Sequence, residues 1–165
     1  VSAPVNSLSY RFTTSLGFTL IELMVTIAVL AIIVSIAAPN ISTQLANQRI
    51  KSTTATLTNA LKEAKVESVI RRQVLTLSVN NNGTALGTII IRDPGLDQKL
   101  NIVATYQYDS KSTINSTQSS IEFKPSKTTN ERTYTICDSN TSISPRQIIV
   151  STIANITNKL GGTCP

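Results

Sequence analysis

One stretch, Phe18 to Ala38 (FTLIELMVTIAVLAIIVSIAA), governs what this chain can fold into: of its 21 residues, 17 are apolar and one, Glu22, is charged. A helix of that length rises about 30 Å, the thickness of a bilayer's hydrocarbon. No other apolar run in the 165 residues approaches it, so the sequence predicts one N-terminal membrane segment followed by a soluble domain. The 17 residues ahead of it, VSAPVNSLSYRFTTSLG, are polar with Arg11 as their one charge. Such a leader keeps its basic side in the cytoplasm and sends the bulk of the chain across the membrane.

Three readings of the segment compete. A signal peptide would be cut after a small-x-small triplet, and Ser35-Ile36-Ala37 qualifies, but a charge near the start and a core of this length fit poorly. A plain anchor fits the length and leaves Glu22 unexplained. An ionisable side chain at this depth costs about 2.5 to 3.5 kcal/mol on insertion scales, so the third reading gives the glutamate a partner.

Composition removes most catalytic chemistry. With no histidine in the chain, Ser-His-Asp and Cys-His nucleophiles, His-ligated metals and imidazole pH switches are all excluded. Two cysteines are too few for a four-cysteine zinc or iron-sulfur site. Charged residues make up only 15%, while Ser, Thr and Asn supply 55 residues, a surface solvated by hydroxyls and amides that suits an exported protein.

Gly17-Phe18-Thr19-Leu20-Ile21-Glu22, between a short polar leader and the apolar run, resembles the class III signal of type IV prepilins and type II secretion pseudopilins. The resemblance implies cleavage after Gly17 by a prepilin peptidase and methylation of the new amine at Phe18. The apolar segment then stays on the mature subunit. It also implies that Glu22 pairs with the N-terminus of a neighbouring subunit, setting assembly register. Glycine at the cut site offers no side chain to obstruct a protease. A buried carboxylate recovers its desolvation cost only when the partner is present, so such a pair favours assembly more than the lone chain.

Pro39 removes a helix hydrogen bond to Ser35 and predicts a kink where the chain leaves the membrane. Beyond it the pattern still reads as helix to Arg72, with Ile50, Leu57, Leu61 and Ala64 on one stripe and Glu67-Arg71 as an i, i+4 pair. Threonines 53, 54, 56 and 58 weaken the propensity in its middle. A continuous helix from Phe18 to Arg72 would extend about 80 Å.

From Val74 the period changes to that of strands. Residues 74–79 alternate, Asn80 to Gly83 make a turn, and 84–92, 100–108, 121–123, 134–137 and 147–150 complete six or seven strands. The fold expected is α+β and type IV pilin-like, a long N-terminal helix packed on an antiparallel β-sandwich or roll. Its divisions are a leader at 1–17, a membrane and filament-core helix at 18–39, an amphipathic helix at 40–73 and an exported β-domain at 74–165.

Residues 121–152 resemble the C-terminal signature of the GspH/FimT/FimU branch. Ile121-Glu122-Phe123 supplies the apolar-Phe strand, Thr135-Ile136-Cys137-Asp138-Ser139 the T-x-C-D-S element, and Arg146-Gln147-Ile148-Ile149-Val150 a basic residue leading an apolar strand. In an exported domain the two cysteines, Cys137 and Cys164, are expected to form a disulfide that pins a loose tail, 156–165, to the sheet. The absence of a CxxC pair argues against redox chemistry.

Asp93 and Asp97 in DPGLD are too few oxygens for calcium, and a solvated turn is the favoured reading. No metal or cofactor is expected. The exported part carries 14 basic and 8 acidic residues, which attracts phosphate nonspecifically, and Arg146 and Lys159 are weak DNA candidates. Some FimT-like members use arginines in a G-R-x-R motif; here residues 151–159 contain one lysine and no arginine, so DNA is not the favoured partner. The resemblance implies a non-enzymatic minor pilin of the type IV pilus tip. An H-type minor pseudopilin is the runner-up and a DNA-binding competence pilin the third reading. Its expected partners are prepilin peptidase, other minor subunits and the major pilin. It would sit in the inner membrane before assembly, its domain in the periplasm, and then at the pilus or pseudopilus tip. Retention of Glu22 argues against the extreme tip position.

Overall fold

A computed structural model describes residues 17–83, 85–95 and 101–165, with the side chains of 37–40 excepted. Leader residues 1–16, Asp97 and the Pro39 side chain lie outside the described residues. The chain divides into two units, at Val1–Pro39 and Asn40–Pro165. Helix α1, Leu20–Arg71, contributes to both.

In the second unit α1 presents Ala46, Ile50, Leu57, Ala60, Leu61 and Ala64 to the core, all at most 1% exposed. That is the expected stripe, broadened by two alanines. Thr53, Thr54 and Thr58 are buried on the same face. Thr54 satisfies its hydroxyl by donating to the Ile50 carbonyl at 2.7 Å, so a residue of poor helix propensity serves as a small core side chain. The helix stops one residue before the expected end. Arg72 takes φ +56° and Gln73 N–H donates to Ser68 C=O at 3.2 Å, the six-to-one bond of a Schellman cap, with arginine where glycine is usual.

Among the described residues eight strands follow: β1 Leu75–Asn80, β2 Gly87–Asp93, β3 Asn101–Tyr108, β4 Ser112–Asn115, β5 Ser120–Phe123, β6 Arg132–Asp138, β7 Arg146–Val150 and β8 Ile156–Leu160. They form two four-stranded antiparallel sheets, β3-β2-β1-β5 and β4-β6-β7-β8. The alternation in β1 and β2 is real: Leu75, Leu77, Val79, Ile89 and Ile91 face the core, while Thr76, Ser78, Thr88 and Ile90 are half-buried on the other side. The second sheet contributes Tyr134, Ile136, Ile148 and Val150 to the same core.

Two of these strands, β4 and β8, fall outside the six stretches named from the sequence. β4 is short and β8, ITNKL, is polar and exposed, so neither carries a strand's apolar alternation. The tail expected to be loose from Ile156 is therefore an edge strand through Leu160, paired with β7 from Val150↔Ile156 to Arg146↔Leu160. Only 161–165 lies beyond it.

Tyr108 shows how closely the first sheet is fitted. It pairs with Gly87, where an added Cβ would sit 2.1 Å from the tyrosine Cζ, so its ring occupies the space over the glycine. Its hydroxyl reaches the Asn80 carbonyl and the Asn81 side chain, and burial pushes its pKa up to about 12. Asn81 in turn joins the sheets. Its Nδ2 donates to the Ile114 carbonyl at 2.9 Å and its Oδ1 accepts from Ile114 N–H at 3.0 Å, as a strand backbone would.

Candidate assembly site

The first unit presents the G-F-T-L-I-E residues at the head of α1. Gly17 is exposed and a Cβ there would meet nothing within 4 Å, and Phe18 is 80% exposed. Thr19 is the N-cap: its Oγ1 accepts from Glu22 N–H at 3.3 Å and its carbonyl from Leu23 N–H at 3.2 Å. Thr19 and Glu22 thus stand three apart in the capping-box pattern, so the motif that carries the lone carboxylate also starts the helix. That signal was present in the sequence, where Glu22 was read only as a register residue.

From Phe18 to Ile36 every large apolar side chain is at least half exposed, including Leu20, Met24, Val29, Ile33 and Ile36. Burying 13 such side chains is worth roughly 20 kcal/mol or more, far too much to leave in water. Its hydroxyls are turned inward: Thr26 donates to Leu23 C=O at 2.8 Å and Ser35 to Ile32 C=O at 2.7 Å, so neither requires water. Glu22 is the one charge between Gly17 and Ile36. Among the described residues no single helix is long and apolar enough to cross a membrane; Leu20–Ile36 taken together with Ile41–Arg71 is, by length and composition. Pro39 falls where the two units meet.

In the second unit, each residue of the T-x-C-D-S element has a distinct structural role. Thr135 accepts from Gln147 Nε2 at 3.2 Å, Ile136 is wholly buried, Cys137 is bonded to Cys164, and Ser139 N–H donates to Lys111 C=O at 2.8 Å. Asp138, its side chain fully buried, receives Arg49 of α1 through Nε and Nη2, both at 2.8 Å, and Asn140 N–H at 2.9 Å. Burial alone would raise the Asp138 pKa; the Arg49 guanidinium and the Asn140 amide outweigh it and hold the carboxyl below its usual value. Arg49, hydrogen-bonded to Asp138, is raised in return and also lies 4.0 Å from Asp109. Sequence reading missed this clamp, whose members are 89 residues apart. Arg132, buried, grips the β4–β5 loop through Thr117 and Gln118.

The expected disulfide is present, closing Cys137 to Cys164 with Cα atoms 6.0 Å apart. Gly161 and Gly162, at φ +118° and +110°, carry the tail over the second sheet; a Cβ on Gly162 would lie 2.9 Å from Gln147 and Thr135. The other sequence candidates do not converge. Arg146 pairs with Leu160 and Lys159 with Gln147, so their side chains leave opposite faces of the sheet. Asp93 accepts from Gly95 N–H at 3.0 Å within its turn. Glu63 bonds the Tyr106 hydroxyl, raising the tyrosine pKa, and Glu67 pairs with Arg71 at 2.7 Å. Among the described residues no group of three or more acidic or cysteine side chains is placed to hold a metal.

Comparison with known proteins agrees with both units. The prokaryotic N-terminal methylation motif matches residues 14–38. No curated protein sequence matches. Two crystal forms of the type IV minor pilin FimU of Pseudomonas aeruginosa superpose at TM-scores of 0.58 and 0.60 with 17% and 16% identity. They cover 70% and 72% of this chain and 99% and 97% of theirs. The minor pseudopilin EpsH of the Vibrio cholerae type 2 secretion system superposes at 0.57 with 6% identity, over 68% of this chain and 97% of that one. A methylation motif on a capped apolar helix thus precedes a β-domain whose fold is that of FimU and EpsH: the chain carries a prokaryotic N-terminal methylation motif and a type IV pilin fold.

Proposed function

We propose that this chain is a minor pilin, a non-enzymatic subunit of the complex that primes a type IV pilus and remains at its tip. It enters the inner membrane once through its N-terminal segment with the β-domain in the periplasm, and prepilin peptidase cuts after Gly17 and methylates Phe18. Other minor subunits and the major pilin then pack against its helix. The observation carrying this reading is the head of α1: a lone carboxylate, Glu22, on a helix whose apolar side chains are exposed all round from Phe18 to Ile36. A helix apolar on every side is complete only among lipids or other helices. The Phe18 amine of a neighbour supplies the positive charge that Glu22 lacks, and the clamped β-domain selects the partner.

Mass spectrometry of the mature chain tests the processing step. A chain beginning at Phe18 with one added methyl group is expected; an intact leader, or a cut after Ala37, sinks the proposal. Deleting the gene should reduce surface pili, with Glu22→Ala failing to restore them. A second reading, an H-type pseudopilin, is favoured by the likeness to EpsH. It predicts loss of protein secretion with pili intact. DNA binding gains no support from Arg146 and Lys159, which face opposite ways.

A further inference from the structure

The connection between β1 and β2, which assembly leaves unused, carries a chemistry of its own. Asn82-Gly83 is the one Asn-Gly step in the 165 residues. An asparagine side chain is open to attack by the backbone nitrogen of the residue after it, which closes a succinimide ring. Any side chain on that next residue crowds the attack, and glycine has none.

The fold leaves this pair open. Asn82 and Gly83 are exposed and belong to neither strand, since β1 ends at Asn80 and β2 begins at Gly87. Gly83 takes φ +64°, the left-handed conformation that glycine tolerates, and a Cβ there would meet nothing within 4 Å. Among the described residues nothing accepts from the Gly83 N–H. Among them, too, the turn is closed on itself by two hydrogen bonds: Ala85 N–H donates to Asn82 C=O at 3.3 Å, and Asn82 Nδ2 to Leu86 C=O at 2.9 Å. So few ties place the segment at the low end of local stability, and ring closure asks only for a local turn of its backbone.

The two asparagines before it are held. Asn80 lies within β1 opposite Thr88, and its carbonyl accepts from the Tyr108 hydroxyl at 3.2 Å. Asn81 keeps its amide between Ile114 and that same hydroxyl. Each is followed by another asparagine, whose Cβ shields the attacking nitrogen.

We infer that Asn82 deamidates in the folded chain without an enzyme, and that its conversion unties the β1–β2 turn. The Gly83 nitrogen loses its proton to water and bonds to the Asn82 Cγ. The Cγ–Nδ2 bond breaks, and the NH2 group takes up a proton and leaves as ammonia. Water then opens the ring: cleavage at Cγ leaves an aspartate, and cleavage at the Asn82 backbone carbonyl leaves a β-linked isoaspartate with one more carbon in the main chain. Water is the only co-reactant, and nothing is oxidised or reduced. Either product puts a carboxylate, which cannot donate, in place of the amide. The bond to Leu86 C=O is therefore lost, and a negative charge faces a carbonyl oxygen. The isoaspartate also lengthens the main chain next to Asn81, the side chain that bridges to β4.

The test holds the purified full-length chain in detergent at neutral and at mildly alkaline pH and digests samples with trypsin at intervals, the fresh chain serving as zero. Cleavage after Arg72 and Arg92 places Asn80, Asn81 and Asn82 on one peptide, 73–92, whose fragmentation locates each acid and distinguishes the two linkages. Asn82 should convert at least about tenfold faster than Asn80 or Asn81, and faster at the higher pH, where more of the Gly83 nitrogen is deprotonated. Asn82→Gln, whose side chain would have to close a larger ring, should stay an amide throughout. The aged wild type should melt about 4 °C below the fresh chain, while Asn82→Gln held as long should not fall. Equal conversion at the three asparagines, or a rate at Asn82 that does not rise with pH, overturns the site. So does conversion that appears only once the chain is unfolded in denaturant. A fully converted sample that melts with the fresh one overturns the untying of the turn.

Discussion

Replacing Arg49 with Met isolates the clamp between α1 and the second sheet. The substitution leaves Asp138 fully buried with Asn140 N–H and the Ser139 side chain as its remaining donors, and removes two bonds of 2.8 Å. Breaking a buried pair by deleting one partner costs about 3 to 5 kcal/mol, because the other charge stays desolvated. Arg49 is 13% exposed, which argues for the lower half of that range, about 3 kcal/mol. For a unit of this size that corresponds to a fall in Tm of roughly 10 °C. Thermal unfolding of the full chain in detergent, followed by circular dichroism, reads it directly. The pH dependence has a definite sign. Asp138 is depressed in the folded chain, so its contribution is present above the unfolded carboxylate value of about 3.9 and is lost as pH falls through the folded one. The gap between wild type and Arg49→Met should therefore close in acid, where protonation relieves the orphaned carboxyl. The double variant Arg49→Met with Asp138→Leu should recover most of the loss, since the isolated charge has gone. A cost under about 1 kcal/mol at neutral pH, or a gap that widens in acid, refutes the argument.

Three further outcomes are expected. Gly87→Ala should destabilise by about 2 kcal/mol in chemical denaturation, because the Tyr108 ring must leave its place, and Tyr108→Leu on the same chain should restore part of it. Arg72→Gly should raise stability by about 1 kcal/mol by relieving a left-handed arginine at the helix cap, measured by the same titration; no gain would mean the cap is unstrained. Cys164→Ser should cost about 3 to 4 kcal/mol on the loop-closure account of a 27-residue separation, and added reductant should lower the wild type to the same midpoint without affecting the variant.

The parts legible in the sequence were those where burial repeats with a period. Ile50, Leu57, Leu61 and Ala64 announced their helix face, and residues 74–79 their sheet face, because one side of each is packed. β4 and β8 were missed because STIN and ITNKL hold too few apolar residues to alternate: β4 buries a serine, Ser112, beside Ile114, and β8 lies exposed. The buried threonines were read as a weakness of the helix, since propensity takes no account of a hydroxyl that bonds back to its own turn, as Thr54 does. At the head of the chain Glu22 stood out by its cost in an apolar run. Thr19's cap was equally visible three residues before it. Arg49 and Asp138 left no local trace, because an ion pair between a helix and a strand 89 residues away is set by the packing of everything between.

The Asn81 amide closes the inner edge of the second sheet with one side chain where another fold would spend a strand. The Ile114 N–H is thereby shielded by a residue that belongs to the β1–β2 turn. Its hydrogen exchange should therefore report the opening of the first sheet as well as its own, since the two sheets share no backbone ladder and this side chain bridges them.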